Sequence, residues 1–243
     1  MAKSLEPYST DITRLGVADS GEEVAVSISI IAHPNFQSNT IIINYPGRGG
    51  EINGYNNKYF KIAKMLVRRN IGAVIQMSNA DRFGFGYEQN IVDDLRAVLD
   101  NAICNSPKLC KSATPNIYLM GFSAGGSAVA TVCSEYTAVK KILLIAPSWN
   151  AGEAAVKEGL GKFEGEVYIV IGQDDEVVGL EAAYDFQTIA KNASNFRKLM
   201  IIAQCGHQFN GRENGQILGK APLWAFTGDP SFPNPKGGMV LYD

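Results

Sequence analysis

The fold turns on one stretch, Met120-Gly121-Phe122-Ser123-Ala124-Gly125-Gly126. A short apolar run, Ile117-Tyr118-Leu119-Met120, leads into it, and an Ala-rich stretch from Ser127 to Val132 follows. The order is strand, sharp turn, helix, with Ser123 at the apex of a G-x-S-x-G pattern. Such a turn holds its central residue in a strained backbone conformation. Side chains two positions away on either side would collide, so both flanks must be glycine or nearly as small. The product is an exposed hydroxyl at the end of a sheet, beside the first turn of a helix.

A serine hydroxyl is a weak nucleophile near neutral pH. It needs a base, and the base needs a third group to orient it. The chain holds 2 histidines, His33 and His207. His207 closes Ile201-Ile202-Ala203-Gln204-Cys205-Gly206-His207, just past a strand-like run, whereas His33 precedes Pro34 and suits a turn or surface position. Between Ser123 and His207, the apolar run Val167-Tyr168-Ile169-Val170-Ile171 opens into Gly172-Gln173-Asp174-Asp175-Glu176-Val177-Val178. Three acids compete there. Nucleophile, acid and base thus follow one another as Ser, Asp, His, each just after an apolar strand.

The rest of the chain alternates in the same way. Ile12 to Val17 and Val24 to Ile31 read as strands joined by a turn at Asp19-Ser20-Gly21. Thr40 to Tyr45 reads as a buried strand ending in Pro46-Gly47-Arg48-Gly49-Gly50. Tyr59, Ile62, Ala63 and Leu66 recur at helical spacing, and Asn70-Ile71-Gly72 stops that helix. Ala73 to Met77 is a strand, and Ile91, Leu95, Val98, Leu99 and Ala102 mark a helix. Strands at Ile142 to Ala146 and Leu199 to Ala203, with a helix near Glu181 to Lys191, complete the pattern. Continuous apolar strands alternating with helices predict an α/β fold, a mostly parallel sheet covered by helices on both faces. Sites in such sheets lie beyond the carboxyl ends of the strands. Ser123, Asp175, His207 and the Pro46–Gly50 loop all fall there.

With G-x-S-x-G, the G-x-x-D-x-x-V around Asp175 and the Gly206-His207 pair together, the chain resembles the α/β-hydrolases, and most of all the compact dienelactone-hydrolase-like members. The likeness runs from about Asp11 to about Asn210. It implies a single α/β-hydrolase domain over residues 1–243 with minimal or no lid. Residues 1–10 are expected to be a flexible lead-in, and 210–243 an irregular tail rich in Gly and Pro. By resemblance Ser123 is the nucleophile, His207 the base and Asp175 the orienting acid, the family spacing from Gly172 selecting Asp175 over Asp174 and Glu176. The oxyanion donors it implies are the backbone N–H groups of Ala124 and of Arg48, with Gly49 as the rival to Arg48. Dienelactone hydrolases carry cysteine where this chain carries Ser123, a departure that favours ordinary ester chemistry. The expected activity is hydrolysis of small soluble carboxylic esters or lactones through an acyl-enzyme. An acyltransferase or peptidase with the same triad is the alternative, and a non-catalytic binding member a further one.

Phe122 and Trp149 near strand ends, and the Arg48 side chain, are candidate substrate contacts. Phe83 and Phe85 are weaker ones. Only about twenty residues separate Ile145 from Val167, room for one short helix and not for a lipase-like lid. No cofactor is implied. None of Cys104, Cys110, Cys133 and Cys205 forms a C-x-x-C pair, so a metal site is not expected. Cys104 and Cys110 flank a Pro-containing loop and could bridge in an oxidising compartment; without an export signal they read as free thiols. The sequon Asn192-Ala193-Ser194 matters only in a secreted chain.

Composition agrees with an ordinary globular protein: of 243 residues, 46% are hydrophobic and 19% charged. A net charge of -2 carries no basic footprint, so nucleic acid is not an expected partner. No apolar run approaches a membrane span. Met1-Ala2-Lys3-Ser4-Leu5-Glu6-Pro7 lacks the apolar core of a signal peptide, so a cytoplasmic location is expected. The sequence is silent on oligomeric state.

Overall fold

The computed structural model describes residues 8–15, 23–32, 38–79, 86–193 and 197–233. Among these residues eight strands form one sheet: β1 (Tyr8–Leu15), β2 (Glu23–Ile31), β3 (Thr40–Tyr45), β4 (Ala73–Met77), β5 (Asn116–Phe122), β6 (Val139–Ile145), β7 (Glu166–Gly172) and β8 (Arg197–Ile202). Their order across the sheet is β1-β2-β4-β3-β5-β6-β7-β8. The pairs β1–β2 and β2–β4 are antiparallel, and every pair from β4 onward is parallel. Strand β3 is buried along its whole length, as Ile41-Ile42-Ile43 demands of a strand covered on both faces.

Among the described residues seven α-helices cover the sheet: α1 (Lys58–Arg68), α2 (Tyr87–Cys104), α3 (Ser106–Cys110), α4 (Ala124–Val132), α5 (Glu153–Lys162), α6 (Gly179–Ile189) and α7 (Arg212–Thr227). Helices α2, α4, α5 and α6 pack in a contiguous row, while α1 and α7 touch each other. Every residue of α4 is buried. Its small side chains let it lie close to β5 and β6, which the expected tight elbow requires. Helix α1 stops where expected: Asn70 takes a left-handed φ of 56°, and Asn70 and Ile71 donate back to Val67 and Leu66. Between β6 and β7 stands α5 alone, so nothing there forms a lid.

Three expectations need correction. The chain between Ser106 and Cys110 is a short helix with Pro107 in its first turn, where a missing N–H costs nothing, and not a loop. Residues 8–10, expected to be flexible, pair with Ile30, Ser29 and Ile28 of β2. The larger error is the tail. Arg212–Thr227 is a regular helix despite Gly215, Gly219 and Pro222. Burial overrides propensity: Ile217, Leu218, Ala221, Leu223, Trp224, Ala225 and Phe226 all enter the core. Trp224 meets Tyr168 edge-on at 5.0 Å, and Phe226 meets Tyr118 at 5.1 Å, so these rings fold over the sheet and not over the site. The Asp19 turn, His33, Phe83 and Phe85 lie outside the described residues.

Candidate active site

The elbow has the strain its sequence predicts. Ser123 sits between β5 and α4 with φ 50° and ψ -114°. A Cβ on Gly121 would stand 2.5 Å from the Gly125 carbonyl oxygen, and one on Gly125 would stand 2.2 Å from the carbonyl oxygen of Tyr45. Neither position accepts a side chain. Backbone bonds fix the turn: Ser123 N–H donates to Ile145 O at 2.9 Å, and Ser123 O accepts from Ser127 N–H at 3.1 Å.

The Ser123 hydroxyl faces His207, with Oγ 3.2 Å from Nε2. The other ring nitrogen, Nδ1, lies 2.8 Å from Asp175 Oδ2. The remaining oxygen, Oδ1, accepts the N–H groups of Val177 at 3.0 Å and Val178 at 3.1 Å. Both Asp175 and His207 are buried, while Asp174 and Glu176 are exposed. The two loops that carry them are locked together. Gln173 N–H donates to Ile202 O and Asp174 N–H to Cys205 O, and Gly172 is so close to Cys205 that an added Cβ would stand 2.0 Å from its carbonyl oxygen. The Phe122 ring supports the imidazole from the side, with centroids 5.2 Å apart.

The Pro46–Gly50 loop lies against the elbow. A Cβ on Gly47 would meet Phe122 at 2.9 Å and the Ser123 Cβ at 3.1 Å. Asn79, a buried residue just past β4 that sequence reasoning missed, stitches this loop. Its Nδ2 donates to Pro46 O and Tyr87 Oη, both at 3.3 Å; its backbone N–H donates to Gly50 O, and its carbonyl accepts from Gly49 N–H. The Gly49 N–H is thereby committed to Asn79. Ala124 opens α4, where helix geometry supplies no acceptor for its N–H. The Arg48 side chain is exposed and lies over the Tyr87 ring, 5.1 Å from its centroid.

A cleft of about 650 Å³ opens over Ser123. Arg48, Phe122 and His207 line it, as do Tyr55, Lys58, Asn150, Val177 and Gln208, none of which carries a motif that sequence could flag. Tyr55 and Val177 are large apolar side chains left exposed at this rim. Trp149 goes elsewhere: it packs on Phe186 of α6 at 4.6 Å, and its neighbour Asn150 takes the lining position. Among the described residues no cluster of His, Cys, Asp and Glu has a metal-holding arrangement, and no helix is long and apolar enough to cross a membrane. All four cysteines are free.

No family model and no curated protein matches the sequence. Solved structures do match. The esterase domain of a Rhodothermus marinus protein superposes with a TM-score of 0.63 at 17% identity, over 88% of this chain and 95% of that one. An esterase of Pyrococcus furiosus gives 0.64 at 16% identity over 93% and 94%. An alpha-beta serine hydrolase homologue from Coxiella burnetii gives 0.58 at 21% identity over 82% and 89%. At such identities the likeness is one of architecture, and that architecture, an eight-stranded mostly parallel sheet under two groups of helices, is the α/β-hydrolase fold.

Proposed function

We propose that this protein is a serine carboxylesterase that hydrolyses small soluble esters or lactones through an acyl-enzyme on Ser123. The observation that carries the reading is the unbroken line from Ser123 Oγ through His207 to Asp175, built on a strained serine. The named esterases among the solved structures of like fold support the reaction class.

In this reading His207 Nε2 takes the Ser123 proton as Oγ attacks the ester carbonyl. Asp175 holds the tautomer with the proton on Nδ1 and stabilises the imidazolium that forms. The oxyanion is met by the N–H of Ala124 and the N–H of Arg48, preorganised by Gly47 and Asn79. The tetrahedral intermediate collapses, the alcohol leaves with the proton from Nε2, and water repeats the sequence to free the acid. The cleft volume of about 650 Å³ suits a small ligand, and the absence of a long insertion between β6 and β7 leaves it open.

The test is covalent labelling. A fluorophosphonate should add once to the folded protein and not to Ser123→Ala, with p-nitrophenyl acetate or butyrate hydrolysed by the first and not the second. Labelling undiminished in Ser123→Ala would sink the assignment.

A further inference from the structure

Lys58 is a charge the esterase mechanism does not use. It opens α1, where a cation opposes the helix dipole, so it does not serve the helix. Among the described residues its ammonium has neither a hydrogen bond nor an ion pair. Its neighbours are the Phe122 ring, 5.2 Å from Nζ to the centroid, and the Tyr59 ring at 5.0 Å. Burial holds its pKa below the ordinary lysine value, the mark of a cation deprived of water without a counter-charge. Gly54, at φ 65°, presses on it: a Cβ there would stand 2.5 Å from Tyr59 and 3.0 Å from the Lys58 stem. The Lys58 stem therefore lies close to Gly54, and Lys58 and Ser123 line the same cleft.

Lys58 also stands where two cavities meet. The cleft over Ser123 shares Tyr55, Lys58 and Gln208 with a second cavity of about 640 Å³ that runs to the start of α7. Beyond the shared residues, Asn210 and Arg212 contribute polar groups to the second cavity, with Phe209 and Leu218 as apolar wall. Its lining holds two cations, Lys58 and Arg212, three side-chain amides, Asn56, Gln208 and Asn210, and no carboxylate. A chamber of that chemistry, open to the serine on one side, fits the far end of a substrate that ends in an anion. Because the fold has already partly desolvated Lys58, pairing it with a carboxylate removes less solvation than pairing a free surface lysine would.

We propose that the second cavity is a subsite for a carboxylate carried by the ester, with Lys58 as its counter-ion and Gln208, Asn210 and Arg212 as further donors. The substrate class is then the monoanionic esters, in which a carboxylate is held a few bonds from the scissile carbonyl. This rests on the esterase reading above.

The experiment compares three esters on wild type, Lys58→Met, Lys58→Arg and Arg212→Gln: p-nitrophenyl butyrate, p-nitrophenyl hemiglutarate with its acid in the acyl half, and para-carboxyphenyl butyrate with its acid in the alcohol half. The readout is the ratio of kcat/KM for each anionic ester to that for the neutral one. In Lys58→Met this ratio should fall by about tenfold or more for one of the two anionic esters, the loss expected for one charge-assisted bond. Lys58→Arg should restore part of it. The ester affected tells which half of the substrate enters the cavity. Ratios unchanged within about twofold for both anionic esters, with Ser123 still labelled by fluorophosphonate, would overturn the subsite and leave the esterase reading standing. If no ester is hydrolysed, calorimetric titration of glutarate decides. Binding to the wild type that weakens about tenfold in folded Lys58→Met upholds the anion subsite without the esterase, and no binding overturns it.

Discussion

Gly125 lies so close to Tyr45 that the α carbon of the elbow helix and the end of β3 leave no room for a methyl group: an added Cβ would stand 2.2 Å from the Tyr45 carbonyl oxygen. The same Cβ would stand 2.6 Å from Pro46 O, at the root of the loop assigned to the oxyanion. Gly125→Ala should therefore push α4 away from that loop. A displacement near 1 Å at a reacting centre costs about a hundredfold in rate. The expected outcome is a fluorophosphonate labelling rate lower by at least about that factor, with a lowered Tm. Gly126→Ala meets its nearest neighbour at 3.1 Å, so it should be the milder change on both measures. Labelling of Gly125→Ala at the wild-type rate would refute the packing argument.

Asp175, and neither of its acidic neighbours, reaches His207. Asp175→Asn keeps an oxygen to accept from Val177 and Val178, so the loop should stay folded, but it offers Nδ1 the wrong partner. The expected fall in kcat is about a thousandfold or more, as wrong-tautomer substitutions produce in serine proteases. Asp174→Asn, on an exposed side chain, should stay within about twofold. Steady-state kinetics on one p-nitrophenyl ester decides, and the reverse ranking would move the acid by one residue.

How much of this was legible in the sequence follows from where the physics is local. The elbow is local: a strained serine needs small flanks, and Gly121 and Gly125 announce it. The strands are nearly so, because Ile41-Ile42-Ile43 and Val167 to Ile171 suit only a strand buried on both faces. Helix α7 was not legible. Its glycines and Pro222 argue against a helix within any short window, and the packing that overrides them comes in part from the rings of Tyr118 and Tyr168, far back in the chain. Asn79 was hidden for a similar reason. Its partners Pro46, Gly49 and Gly50 lie about thirty residues earlier, and a lone Asn after a strand carries no signal. Lys58 carries no motif, and only the fold brings the Phe122 ring, far along the chain, to its ammonium.

Arg14 of β1 holds a buried ion pair that ties the sheet edge to α2. Its Nε donates to Asp94 Oδ1 at 2.5 Å, and Nη2 donates to Asn90 Oδ1 at 2.8 Å. The Asp94 side chain is fully buried. Removing one partner of a buried ion pair costs about 3–5 kcal/mol. Arg14→Ala should therefore shift urea unfolding to lower midpoints by that order, while Arg96→Ala, whose pairs with Asp93 and Glu135 are half-exposed, should cost about 1 kcal/mol or less. Equal midpoints for the two variants would mean that Asp94 is rehydrated or neutralised when Arg14 is gone.

Cys205, two residues before His207, links the site to stability at alkaline pH. Its buried thiol is held up to about 11 from an ordinary value of 9.0, by burial first and then by the negative charges of Asp175 and Asp174. The folded protein thus keeps the thiol proton through a window in which the unfolded chain has lost it. The corresponding stability is present in full below the ordinary thiol range and drains away as pH rises through about 11. One proton sets a ceiling of about 1.4 kcal/mol per pH unit on the slope. Other groups titrate nearby, and burial raises Tyr136 and Tyr168 in the same sense, so the informative quantity is a difference. Urea unfolding of wild type and Cys205→Ala from about pH 8 to 11 should give a gap that is widest at the lower end and closes with rising pH. A gap independent of pH would show that the thiol carries no shift. Thiol reactivity gives a separate check. Cys104 is exposed and the other three cysteines are buried, so iodoacetamide at pH 8 should modify Cys104 alone in the native protein and all four in urea. Rapid native labelling of Cys205 would contradict both the burial and the raised pKa on which the stability prediction depends.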